Sequence, residues 1–549
     1  MEDSKAVAII DMKQKEIAKA MNFMTLYQDV ANQMLPREDQ ITSKRTGGED
    51  KSVYIYDPTA MLDLGDMVSG LSATFFPTGQ QAFGITLKNR ELANLDHVRR
   101  WLALAAQIAY TEMMASNFML QLTEILGSLV GFGTGNIFSD FVIQSGRPLE
   151  LNYKAWDVSH YVFKQNAKGV VDTMILFHPL TARQAVEEFG DQAGPNVTNN
   201  AGDSKNESKL TKFIHLVRPR LSGTRQFVTT NRMPFESVWV NEDEKIVVKE
   251  GGYRQFPYCV PRWEKSPSEK WGRGQGTKVL ATSKMLQQMD VDMIDYCNKF
   301  VNPPREVVDG FEGDYDVRPN GINIVQEIPA SRVSEFGGTG QYPVLDNFIK
   351  AKQEIIHRAF FTDVFAPLSN LAGDRRTTTE IIQRVKQAAK KLAGPVYRLQ
   401  TELFRPLITR TVLLLVENGR IPQPPRELQG QAFDIEFVGE LALAMQDQQA
   451  RAFQQFAGLV GELLPVFPNA GDLISIDRAL PDIALTFGMK VEHLATPDEI
   501  AAKRQQRAQE IQQQKTMMAA QVAGTAYKDT SAKAEDGSPA EAVMAGMGG

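Results

Sequence analysis

The sequence predicts a mixed fold, mainly α-helical, with a β-rich section near its middle. Three observations predict it. Residues 373–418 run from a short polar loop with two adjacent arginines into a long segment whose apolar residues recur at steps of three or four. Between about 137 and 262 the period changes to short β-branched runs separated by turn residues, as in an antiparallel sheet. Two further helical segments, about 276–300 and 344–365, flank a small Gly/Asp/Pro-rich module, so the chain goes out along one rod and returns along another.

In chain order, residues 5–35 read as an amphipathic helix and Gly47–Lys51 as a polar break. Ala60–Ala73 reads as a helix ending at an apolar corner, Phe75-Phe76-Pro77. Leu95–Leu129 carries two helices that stop at the glycine-rich turn Gly131–Gly135. Strands are predicted at Val170–Phe177, Phe213–Val217, Val238–Val240 and Ile246–Lys249, with Gln192–Lys209 as a polar, flexible loop. The first rod places Val279, Leu286, Met289, Met293, Tyr296 or Cys297, and Phe300 on one face, with Asp290, Asp292 and Asp295 elsewhere. At 1.5 Å per residue it is about 36 Å long. Pro303-Pro304 ends it, and Ile322–Ile328 is a strand candidate in the module beyond. The second rod places Phe348, Ile355 and Phe360 on one side.

Thr377 and Glu380 then stand at capping-box spacing and start the long helix. Ile382, Val385, Ala389, Leu392, Val396, Leu399, Leu403 and Leu407 share its apolar face, and Gly394-Pro395 should kink it midway. After a Pro-rich linker, Phe433–Val438 reads as one strand and about 440–515 as three or more helices. The last of these begins at Thr496-Pro497-Asp498-Glu499, a second capping box with proline at the first helical position. From Thr525 the chain is small and polar and reads as disordered.

The chain has 549 residues, 43% hydrophobic and 23% charged, which is too long for one core. A formal net charge of −6 argues against a surface that grips nucleic acid all over, though not against a local contact. The two cysteines, Cys259 and Cys297, cannot build a disulfide framework and read as reduced core residues. The N-terminus lacks the basic start and unbroken apolar run of a signal peptide. No apolar stretch approaches the ~20 residues of a membrane span.

Candidate chemistry is sparse. Gly272-Arg273-Gly274-Gln275-Gly276 invites a phosphate-binding reading, but it has neither a Walker ending nor dinucleotide glycine spacing. A tight turn where backbones approach closely is the other reading. None of the six histidines sits at a metal-ligand spacing, and no cofactor or metal is expected. Arg375, Arg376, Lys386, Lys390 and Lys391 either touch phosphates or pair with acidic neighbours. Asp290, Asp292 and Asp295 either form a solvated face or line an acidic channel that repels phosphate.

The order of parts resembles portal proteins, or head-to-tail connectors, of short-tailed bacteriophages. The segments that carry the resemblance are LSATFFPTGQQAF (71–83), SNFMLQLTEILGSLVGFGTGN (116–136), YCVPRWEKSPSEKWGRGQG (258–276), the stretch from Gly373, and TPDEIAAKRQQRAQ from Thr496. The resemblance implies the portal fold, assembled as a dodecameric ring around an axial channel. Residues 1–262 would form the wing, helical then β-rich. Residues 263–300 and 344–366 would be the two stem helices, 301–343 the clip and 367–377 the channel loop. The long kinked helix and return to the wing would occupy 378–439, the helical crown 440–515, and a disordered tail 516–549.

The resemblance places Leu368, Ser369, Asn370, Leu371, Asp374, Arg375 and Arg376 in the channel loop, with Lys386, Lys390 and Lys391 on the basic helix face behind it. It gives Asp309, Glu312, Asp314 and Arg318 to the clip surface facing the terminase or adaptor. Implied partners are the terminase large subunit, a tail adaptor, major capsid and scaffolding proteins, internal core proteins, and double-stranded DNA passing without sequence specificity. No membrane is involved. The place is a capsid vertex of the virion, after assembly in the host cytoplasm, and no enzymatic activity is implied. The rival readings are another structural ring component of a phage head or tail, and a phosphate-binding enzyme using Gly272–Gly276.

Overall fold

The computed structural model describes residues 3–362, 392–437 and 497–531. Within these it omits 39, 45–47, 50–51, 78–80, 90–91, 93–94, 145–146, 221–232, 302–304, 309–315, 317, 319–320, 326–341 and 429–432. The chain forms two compact units, Met1–Gly458 and Leu459–Gly549.

In the first unit, α1 (Ser4–Met34) starts where Asp3 accepts from the Lys5 amide at 2.9 Å, and it buries Ala6, Ile9, Ala20, Met24, Tyr27, Ala31 and Met34 along one stripe. Next come α2 (Thr59–Phe75), α3 (Asp96–Ala115) and α4 (Phe118–Gly131), at the expected places, with a strand that the sequence reading did not predict, β1 (Phe83–Leu87), between α2 and α3. The β-rich part holds two sheets. One has β2 (Ile137–Gln144) between β3 (Arg147–Ala155) and the short β9 (Tyr258–Cys259). The other is antiparallel in chain order: β4 (Tyr161–Gln165), β5 (Val171–Thr181), β6 (Leu210–Pro219), β7 (Phe235–Asn241) and β8 (Ile246–Tyr253). One large apolar core joins helices and sheets, and a smaller one holds Ala182, Phe189, Val197, Phe213 and Val248.

That smaller core corrects the loop expected at 192–209. Two helices cover one end of the five-stranded sheet, α5 (Ala182–Phe189), with a Thr181/Gln184 capping box, and α6 (Pro195–Ala201). Proline at the start of α6 and Gly194 at φ +117° set the turn, and Val197 is fully buried. Polar composition concealed a helix needing only one apolar anchor.

The rods are α7 (Gln275–Val301) and α8 (Tyr342–Ala359), which pack on each other. Between them, β10 (Arg305–Val308) pairs in parallel with β11 (Ile322–Val325), a pairing that needs the intervening chain to cross over. The buried face of α8 is Ile349, Ile356 and Phe360, not Phe348 and Ile355, which are 56% and 47% exposed. Steps of seven and four keep to the 3.6-residue period; the expected steps of seven and five drift off it. Cys297 is exposed on α7 rather than a core residue, whereas Cys259 is buried. Asp290 is half-buried rather than facing out with Asp292 and Asp295.

The long helix is seen from Leu392 as α9 (Ala393–Arg398), a π-helical turn at Leu399–Phe404 and α10 (Arg405–Glu417). Leu392, Val396, Leu399, Leu403 and Leu407 are buried, as the period predicts. Gly394-Pro395 lies in the first described turn, α9, with a wide π-helical turn a few residues on, and the chain before Leu392, which would show whether there is a kink here, lies outside the described residues. The start at Thr377, the residues Ile382, Val385 and Ala389, and most of 440–515 lie outside the described residues. The chain returns through β12 (Phe433–Phe437), antiparallel to β1.

Of the second unit, the described part is α11 (Pro497–Ser531), which opens with the predicted proline and runs past both Lys515 and Thr525, where disorder was expected. Its described side chains between 502 and 519 are exposed.

Candidate functional site

The two rods, their roots and their tip form the part of the molecule that the sequence singled out. The root of α7 is a contact of backbone on backbone. A methyl group added to Gly272 would lie 2.0 Å from the Gly133 carbonyl oxygen, and one on Gly274 would lie 2.4 Å from that of Val130. Gly133 itself has φ +100°, where side chains are strained. The amides of the turn are already engaged. Gly272 N donates to Thr134 Oγ1 at 2.8 Å, Arg273 N to the Glu264 carbonyl at 2.8 Å, and Gly274 N to the Phe132 carbonyl at 3.1 Å. The Tyr27 hydroxyl donates to the Gly272 carbonyl at 2.6 Å, and burial holds its pKa far above the usual range. A phosphate has neither room nor these donors here, so Gly272–Gly276 is a packing turn.

The root of α8 is made of side chains. His357 Nδ1 donates to Asp63 Oδ2 at 2.7 Å, and Gln353 Nε2 to Asp57 Oδ2 at 2.8 Å. Gln287 of α7 joins the same corner, accepting from the Tyr56 amide at 2.7 Å and donating to the Asp57 carbonyl at 2.8 Å. Burial raises the Asp63 pKa, opposed by His357. Burial also raises that of Asp290, assisted by Asp57. Sequence reading missed this corner. The available signal was an acid inside the apolar stripe of α2, among Ala60, Leu64, Met67 and Leu71.

At the tip, Arg318 is described, and its side chain is 83% exposed. It is a paired cation: Nε and Nη2 each reach an oxygen of Asp316 at 2.8 Å, and this fork pulls the Asp316 carboxyl down to about 2. Asp309, Glu312 and Asp314 lie outside the described residues. So do Leu368, Ser369, Asn370, Leu371, Asp374, Arg375, Arg376, Lys386, Lys390 and Lys391.

Among the other described histidines, one is locked into the sheet core. His215 is fully buried, stacked on Trp239 at 4.1 Å, held by Tyr258 and Ser237 at 2.8 Å each, and pushed down to about 3 by burial. Among the described residues no group of three or more His, Cys, Asp or Glu is placed to hold a metal ion, and no helix is long and apolar enough to cross a membrane.

The rods also present apolar side chains outward. On α7, Met285, Ile294 and Val301 are 49%, 48% and 72% exposed. Phe348 and Ile355 on α8 add to this outward apolar surface. The described residues thus form a pair of packed rods with a short parallel strand pair between them, rooted in a mixed body of helices and sheets. Residues 12–494 match the family of bacteriophage head to tail connecting proteins, and the chain belongs to that family. It is similar to the probable portal protein of Bordetella phage BPP-1, with 25% identity over 92% of each chain. It is also similar to the portal proteins of Salmonella phage epsilon15, 22% identical over 94% of each, and Pseudomonas phage phiKMV, 21% identical over 83% of this chain and 86% of the relative.

Proposed function

We propose that the chain is a phage portal that assembles as a dodecameric ring at one capsid vertex, with α7 and α8 as its stem. Residues 301–343 form the clip, 367–377 the channel loop and 440–515 the crown. The single observation that carries the reading is the family match across residues 12–494. The outward apolar residues of the rods support assembly, because two helices alone bury too little surface to stand in water and neighbouring copies would cover them. The ring nucleates the procapsid with scaffolding and major capsid proteins. It admits double-stranded DNA driven by a separate terminase, then retains it and releases it through a tail adaptor, with internal core proteins stacking on the crown. Its action is passive. Fixed phosphate contacts add salt-dependent affinity, so a conduit with net charge −6 holds its cargo loosely.

The test is the mass of the purified chain and its image down the ring axis. A ring of about twelve copies with a central hole is expected; a monomeric mass, or a ring without a hole, overturns the reading. Deleting Leu368–Asp374 should leave the ring intact and impair DNA packaging or retention, and loss of the ring itself would refute the channel-loop assignment.

A further inference from the structure

Beside the base of α7, three cations gather around one carboxylate. Glu402, on the π-helical turn, accepts from Arg262 at its backbone N (3.0 Å), Nε (2.9 Å) and Nη2 (2.8 Å), and from Arg398 Nη1 at 3.3 Å. Arg262 Nη2 also lies 3.4 Å from the Gly169 carbonyl oxygen, and its Nη1 is buried with no acceptor among the described residues. The Arg262 side chain is only 4% exposed. Lys265 approaches from the third side, its Nζ 3.9 Å from where a Cβ on Gly169 would stand, and it has no ion pair among the described residues. The nearest other acid in sequence, Glu264, is paired to Lys278 at 2.6 Å.

Arg262, Arg398 and Lys265 against Glu402 leave two positive charges unbalanced, and the buried Arg262 guanidinium, though paired to Glu402, keeps one N–H without an acceptor among the described residues. Burial and the two guanidinium groups lower the Lys265 pKa. Buried charge without compensation is destabilising, so the arrangement gains from an anion. A guanidinium with an open N–H and a nearby ammonium suit a tetrahedral oxyanion with several acceptors. The Gly272–Gly276 turn, which the sequence offered for phosphate, does not supply such a set.

We propose that Arg262, Lys265 and Arg398 form a binding site for a phosphate group between the 166–169 turn, the segment after Arg262 and the π-helical turn. The phosphate is either free or part of a nucleic-acid backbone. Nη1 of Arg262 and Nζ of Lys265 donate to it, Arg398 closes the open side, and Glu402 fixes the orientation of Arg262.

The test uses the full chain with inorganic phosphate as probe, titrated calorimetrically against sodium chloride of matched ionic strength. Phosphate should bind and raise the melting temperature above the chloride control. Lys265→Gln, which removes no ion pair, and Arg398→Gln should each weaken binding about tenfold. Lys278→Gln, outside the cluster, should bind as the parent does. A short DNA duplex that displaces phosphate, with a salt slope reduced by about one in Lys265→Gln, assigns the group to a DNA backbone. A duplex that leaves bound phosphate in place assigns the site to free phosphate. Phosphate acting no differently from chloride, or both Gln variants binding like the parent, overturns the proposal.

Discussion

Replacing Gly272 by alanine adds one methyl group and should weaken the whole joint at the base of α7. The new carbon would stand 2.0 Å from the Gly133 oxygen and 2.9 Å from its carbon, whereas real contacts of this kind stay beyond 3.0 Å. The carbonyl must therefore retreat by at least 1.0 Å (3.0 less 2.0). It now accepts from the Trp263 amide at 2.8 Å, so a retreat of that size breaks or badly stretches a buried hydrogen bond. Losing that bond costs about 1–3 kcal/mol. Overpacking in a close-packed joint adds about 1–3 kcal/mol. The sum is about 2–6 kcal/mol, worth roughly 2–5 °C in a chain of this size. Gly394→Ala is the matched control, because nothing lies within 4 Å of its added carbon and its φ suits any residue. It should be neutral or stabilising by up to about 1 kcal/mol. Thermal unfolding of the two variants beside the parent is the assay. If Gly272→Ala melts with the parent, or the two variants shift alike, the backbone contact is not what roots the rod.

Glu402→Ala should destabilise by about 3 kcal/mol, because it strands Arg262, while Arg262→Met with Glu402→Leu should lose less than that single change; thermal unfolding decides. Glu38 is held up to about 7 by burial, with Asp157 adding to it. Its folded pKa exceeds the unfolded value, so the native state binds the extra proton and stability falls as pH rises from about 4.5 to about 7. Glu38→Gln should therefore melt higher than the parent at pH 8, by at most about 3 kcal/mol of stability, with the gap closing toward pH 5. A gap that widens on acidification would refute the assignment.

What the sequence revealed and what it hid follow from the range of each interaction. Helices α1 to α4 and both rods were legible because their apolar period is local and long. Helix α6 was not, since a single buried valine among asparagines carries no period. The face of α8 was misjudged because its outward apolar residues, Phe348 and Ile355, mimic a core stripe. The root of α8 was hidden for a different reason: Asp63 and His357 stand 294 residues apart, and no local pattern links them. The glycine turn offered two readings from its spacing alone, and only the facing turn at Gly131–Gly133, far away in sequence, decides between them.

The two rods enter the body by different physics, with unequal resistance to movement. The start of α7 is set by main-chain atoms already in closest contact at Gly272 and Gly274, and no side-chain rotation can relieve a shift of those atoms. Displacing it breaks buried hydrogen bonds at about 1–3 kcal/mol each. Helix α8 is set by side chains, His357, 48% exposed, reaching a buried Asp63 and Gln353 reaching Asp57, and a partly exposed ion pair of the first kind holds only about 0–1 kcal/mol. Phe361 follows at φ +54°, outside the region a bulky residue prefers, so the chain leaves α8 through a strained position. For a given load on the two rods, the adjustment of lowest energy therefore lies at the α8 root and at the exit beyond it, while the start of α7 remains the fixed member.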